Sequence, residues 1–69
     1  MEYRLVVESD DGAVLVMTCV AGEGVAWMYT EKVVDGLTVS ESAERMGTYK
    51  TLHDLQQTLF ERGFVAVTE

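Results

Sequence analysis

Few side chains in this sequence could carry chemistry. Its one Cys and one His, Cys19 and His53, are the only pair that could serve as nucleophile and base. Cys19 stands in residues 13–20 (AVLVMTCV), the most apolar run of the chain, where a free thiol acts as a small buried hydrophobe. His53 belongs to a different segment and lies ~100° round a helix from Leu52, toward solvent. No Ser or Thr sits in a nucleophile motif. A chain of 69 residues is short for an enclosed pocket of the ~300–1,000 Å³ that ligands occupy. The expectation is a protein without a catalytic residue.

Metal and cofactor chemistry fare no better. One Cys and one His cannot complete a four-ligand zinc site. Adjacent carboxylates occur at Asp10-Asp11, on a turn, without the D-x-[DN]-x-[DN]-G spacing of a calcium loop. Gly22-Glu23-Gly24 is a lone GxG. A dinucleotide fingerprint needs a third Gly and a helix after it, and the residues after Gly24 read as a strand. No metal and no cofactor are expected.

The remaining candidates are groups that bind rather than react. Twelve acidic residues face five basic ones, for a formal net charge of -7. Phosphate contacts need clustered cations, whereas Arg4, Lys32, Arg45, Lys50 and Arg62 are scattered among acids. Direct nucleic-acid binding and attachment to anionic lipid are therefore not expected, and a protein partner with a basic surface is. Glu8, Asp10, Asp11, Glu23, Asp35, Glu41 and Glu44 are the surface carboxylates that such a partner would meet. Trp27 and Tyr29 belong to the residue types enriched at the centres of interfaces.

These side chains need elements to hold them. Residues 3–8 alternate, with Tyr3, Leu5 and Val7 on one side and Arg4, Val6 and Glu8 on the other, which predicts a strand. Ser9-Asp10-Asp11-Gly12 is a turn. Residues 13–20 are apolar on both faces, as in a central strand covered on both sides. Ala21–Gly24 is a loop, and residues 25–34 (VAWMYTEKVV) are rich in strand formers. Asp35-Gly36 between Val34 and Leu37 signals a tight hairpin.

Residues 37–47 (LTVSESAERMG) read two ways. As a strand, Leu37, Val39, Ala43 and Arg45 alternate with Thr38, Ser40, Ser42 and Glu44. As a helix, Ser40 caps, Ala43 to Met46 continue it and Gly47 stops it. The Asp-Gly turn demands a returning strand and favours the first. A helix over about 52–62 comes next, with Thr51 and Asp54 as a capping-box-like start, Leu52, Leu55 and Leu59 as an apolar stripe, and Gly63 as the stop. Phe64 could make the apolar contact at that stop, and residues 64–68 read as a last strand.

The parities assemble into one α+β domain over residues 1–69. An antiparallel four- to five-stranded meander sheet, order 4-3-2-1-5, carries one helix on one face. The fourth strand is an edge, and its charges Glu41, Glu44 and Arg45 oppose edge-to-edge pairing. A single helix can cover one face, so the other should expose Val, Met or aromatic side chains. A patch of that kind marks a partner.

The stretch Leu37–Gly47 resembles the first helix and turn of bacterial helix-turn-helix domains, with Ala43 as the small packed residue and Gly47 at the turn. That resemblance implies DNA binding through a second helix. The positions where the family carries apolar residues in that helix fall here on His53 and Gln56, and the segment lacks the cations a recognition helix uses.

Three functional expectations result. The first is a small acidic, non-catalytic protein-binding module that docks on a basic, nucleic-acid-binding partner. In size and charge it resembles the phage-encoded inhibitors of CRISPR effectors and other nucleases, some of which act as nucleic-acid mimics. The second is a homodimeric structural or accessory protein that uses the uncovered sheet face. The third is the helix-turn-helix domain. A lone Cys suits a reducing, cytoplasmic address. The opening Met1-Glu2-Tyr3-Arg4 has no signal-peptide character. The longest uncharged stretch, Gly12 to Gly22, is about half of the ~20 residues that a membrane-spanning helix needs. The absence of Asn and Ile fits a GC-rich bacterial or phage genome.

Overall fold

A computed structural model describes residues 1–67 of the chain. Five strands and one helix run in the order β1 (Glu2–Glu8), β2 (Val14–Gly22), β3 (Val25–Val34), β4 (Leu37–Thr48), α1 (Leu52–Glu61) and β5 (Val65–Ala66). The strands form one antiparallel sheet in the order β4-β3-β2-β1-β5, a small α+β fold. Of the expected last strand over residues 64–68, Val65 and Ala66 pair with β1, and residue 68 lies outside the described residues.

The turns explain why the chain returns where it does. Asp35 and Gly36 both hold positive φ, 52° and 79°, the conformation of a two-residue turn that continues strand twist. With the chain committed to return, residues 37–48 pair with β3 along its whole length. The helix at 40–46 that the helix-turn-helix resemblance requires is therefore not formed. The loop expected at Ala21–Gly24 shortens to Glu23-Gly24, because β2 continues to Gly22 opposite Val25.

One detail of β4 departs from simple alternation. The register shifts between Lys32 and Val33, and again between Ala26 and Trp27. An extra residue at a bulge reverses the parity of the strand beyond it. Leu37, opposite Val34, therefore lies on the other side of the sheet from Ala43 and Arg45, which stand opposite Tyr29 and Trp27.

The buried cluster draws on both halves of the chain. Tyr3, Cys19, Ala26, Leu59 and Phe64 are buried together, with Leu5, Met17, Met28, Tyr49 and Leu55 packed around them. Tyr3, Cys19 and Met28 stand opposite one another across β1, β2 and β3, so they share a face. Leu59 comes from α1. The ring of Phe60 meets that of Tyr3 edge-on, 5.9 Å between centroids. The Thr51 hydroxyl accepts from the Asp54 amide at 3.2 Å and caps the helix, a contact worth ~1 kcal/mol.

At the far end of α1 the Phe64 amide donates to the Leu59 carbonyl and the Gly63 amide to the Phe60 carbonyl, both at 3.0 Å. This pair of bonds requires the positive φ of 95° at Gly63. It also delivers Phe64 into the same cluster as Leu59.

β2 is the middle strand of the sheet. Its expected cover on both faces is incomplete. Cys19 is buried, while Val14, Val16 and Val20, alternating with it, are half-buried.

Candidate functional site

The strand register sorts the candidate residues. Trp27 stands opposite Val20 and Arg45, Tyr29 opposite Thr18 and Ala43, and Glu31 opposite Val16 and Glu41. On β1, Arg4 and Val6 stand opposite Thr18 and Val16, and Val65 opposite Arg4. All of these lie on the face opposite Tyr3 and Cys19, since strand side chains alternate. Val6 is 57% exposed, Val65 63%, Trp27 42% and Tyr29 43%. The result is an apolar centre of Val, Trp and Tyr side chains open to solvent.

Carboxylates lie at both ends of this centre, with Glu2 opposite Val20 in the Trp27 row and the others beyond Tyr29. Glu31 and Glu41 face each other directly across β3 and β4, and Glu8 stands opposite Val14 on the same face. Like charges placed opposite each other in a sheet are unfavourable. Arg45 lies beyond Trp27, on the other side of the Tyr29–Ala43 pair.

The other acids are dispersed. Asp10, Asp11 and Asp35 occupy the β1–β2 and β3–β4 turns, at the same end of the sheet, and Glu23 occupies the turn at the opposite end. Glu44 stands opposite Met28, so it shares the face of the buried cluster. Of the candidate residues, then, Trp27, Tyr29, Glu8 and Glu41 come together on one face; Asp10, Asp11 and Asp35 gather at its end; Glu23 and Glu44 stand apart. Glu2, Arg4, Glu31, Arg45, Val6 and Val65 share the Trp27 face. The signal for Glu31 was its place two residues after Tyr29, since alternate residues of a strand share a face.

Asp11 is engaged locally. Its carboxylate accepts from the Ser9 hydroxyl and from the Ala13 amide at 3.1 Å, and Lys32 Nζ lies 3.7 Å from it. These contacts, the Ser9 hydroxyl first, hold the carboxyl below its ordinary pKa.

Cys19 and His53 do not meet as a catalytic pair. Cys19 is fully buried, its Sγ 3.7 Å from the Met46 sulfur, and burial pushes its thiol pKa up. That is the environment of an inert thiol. His53 is exposed on the helix. Two surface depressions, of about 430 and 490 Å³, lie near β5 and the start of β1, lined by residues such as Met1 and Val20 in one and Leu5 and Gly63 in the other. Neither contains His53 or Cys19. Among the described residues no three His, Cys, Asp or Glu side chains are grouped to hold a metal ion, and no helix is long and apolar enough to cross a membrane. Comparison with family models, with curated proteins and with solved structures finds no match to this chain.

Proposed function

We propose that this chain is a non-catalytic, cytoplasmic protein-binding module that docks its Trp27–Tyr29 face on the basic surface of a nucleic-acid-binding protein. The observation that carries the reading is the coincidence of half-exposed Trp27 and Tyr29 with Glu8, Glu31 and Glu41 on one face. Four neighbouring strands and the rows from Trp27 to Val33 span roughly 450 Å² of sheet by standard strand spacing and rise. That footprint, which includes Arg4 and Glu31, falls within the ~300–600 Å² of the largest surface patch on a typical monomer, a patch that is often functional.

In this reading α1 covers the opposite face, supported by the complete burial of Leu59 beside Tyr3 and Cys19. Aromatic anchors supply affinity. The carboxylate flank, with Asp10, Asp11 and Asp35 at its end, steers the approach to cations and would compete with phosphate for them. An inhibitor or nucleic-acid mimic acts in this way.

The test is capture from a bacterial lysate by the tagged protein, with elution by rising salt and by added nucleic acid, run beside W27A/Y29A. The expected result is a nucleic-acid-binding protein released by both and lost with the double variant. Capture that ignores salt and is unchanged in W27A/Y29A would overturn the reading. A salt-insensitive dimer through the same face, without capture, would favour the homodimeric accessory protein.

A further inference from the structure

The edge strand β4 is long and open. It runs from Leu37 to Thr48, and every residue but Gly47 is exposed. An edge strand offers a row of unpaired amides and carbonyls to any strand that can align with it. Glu41, Glu44 and Arg45 oppose most such alignments, yet their spacing permits one. We infer that β4 pairs antiparallel with β4 of a second copy of this chain, about a two-fold axis at Ala43, giving a continuous ten-stranded sheet.

The argument is one of register. A two-fold axis normal to the sheet keeps each face continuous, so a residue must meet its own copy at the axis. Centred on Ala43, the pairing sets Glu41 opposite the partner's Arg45, twice by symmetry, and Ser42 opposite the partner's Glu44, also twice. Opposite charges facing each other across a ladder are favourable, and a serine hydroxyl can donate to the carboxylate. Centring on Glu41 or on Glu44 sets a carboxylate against its own copy. Centring on Ser42 leaves Arg45 opposite Val39. Centring on Arg45 sets that cation against its own copy, so of the five centres from Glu41 to Arg45, Ala43 alone pairs every charged residue of the segment with a complementary group.

Two further observations favour this partner. Glu41 already faces Glu31 within the chain, and the partner's Arg45 would bring a cation beside both. The regular part of β4, Ser40 to Arg45, lies between the two register shifts, so the segment required is the unbroken one. Antiparallel pairing also sends the acidic Asp35 turns to opposite ends of the dimer. Both Trp27–Tyr29 faces emerge on the same side; the pairing does not depend on the partner surface proposed above, and it offsets part of that surface's charge at Glu31 and Glu41.

Charge reversal tests the register. E41R and R45E should each weaken dimerisation roughly tenfold or more, because each sets two like-charge pairs in the ladder. E41R/R45E keeps the net charge of the parent and should restore it. The readout is sedimentation equilibrium across micromolar to millimolar concentration at fixed salt, with far-UV circular dichroism to confirm folding. As an independent measurement, A43C should form a disulfide-linked dimer under mild oxidation. Opposed residues in an antiparallel pair stand ~4.5–5.5 Å apart between Cα atoms, within the reach of a disulfide. A monomer at all concentrations, a dimer indifferent to the single reversals, or no recovery in the double variant would overturn the inference. If a reversal variant fails to fold, A43C cross-linking decides: rapid linkage supports the pairing and its absence refutes it.

Discussion

Leu59→Ala tests whether the helix belongs to the core. Leu59 is fully buried in a cluster that also holds Tyr3 and Cys19 of the sheet. Replacing a buried Leu by Ala costs about 2–5 kcal/mol, the transfer loss plus whatever cavity remains. Met17 and Met28 border the cluster, and their flexible side chains can close part of the void, so the expected cost is about 3 kcal/mol. At ~0.05–0.15 kcal/mol per residue, a chain of this length has roughly 3–10 kcal/mol of stability in all. The variant should lose a third or more of it, with a midpoint lowered by roughly 12–24 °C. Urea unfolding followed by circular dichroism and by Trp27 fluorescence measures this, with exposed Gln57→Ala as the control expected within ~0.5 kcal/mol. A Leu59→Ala variant that matches Gln57→Ala would mean that the helix contributes nothing to the fold, and would remove the reason for calling the Trp27 face the uncovered one.

Two other outcomes rest on local geometry. Gly36→Ala should cost about 1–2 kcal/mol, since φ is 79° there and an added Cβ would meet nothing within 4 Å, leaving only the backbone penalty; an unchanged urea midpoint would refute this. Cys19 should make the fold sensitive to alkali. Because burial raises its folded-state pKa, its contribution is fully present below the unfolded thiol's ordinary value and is lost as pH rises through the folded one. Urea midpoints should fall at alkaline pH, and a thiol reagent should label the protein only as fast as it opens; rapid labelling of the native protein would contradict both.

Much of the fold was legible in the residues because its signals are local. The Asp35-Gly36 turn, the Thr51 cap, the Leu stripe and the Gly63 stop each report on a few neighbours, and together they imply the order 4-3-2-1-5. The bulges were not legible. No residue type marks the shift at Lys32/Val33, which answers to twist and packing along the whole ladder, and it moves Leu37 to the face opposite Ala43. The site was legible only as a list of residue types. Glu31 was readable from its alternation with Tyr29, but which acids of the neighbouring strands share a face with Trp27 depends on register, which put Glu8 and Glu41 on that face and Glu44 on the other.

The order of pairing along the chain has a consequence for folding. Strands β1, β2 and β3 each pair with the strand that follows, so this ladder can close early from sequence-local contacts. Its buried cluster cannot, because Leu59 and Phe64 come later and β5 returns to the first strand. A sheet of β1 to β4 alone lacks Leu59 and Phe64, and so leaves Tyr3 and Cys19 without those neighbours. The net charge of -7 opposes association between copies at that stage by like-charge repulsion.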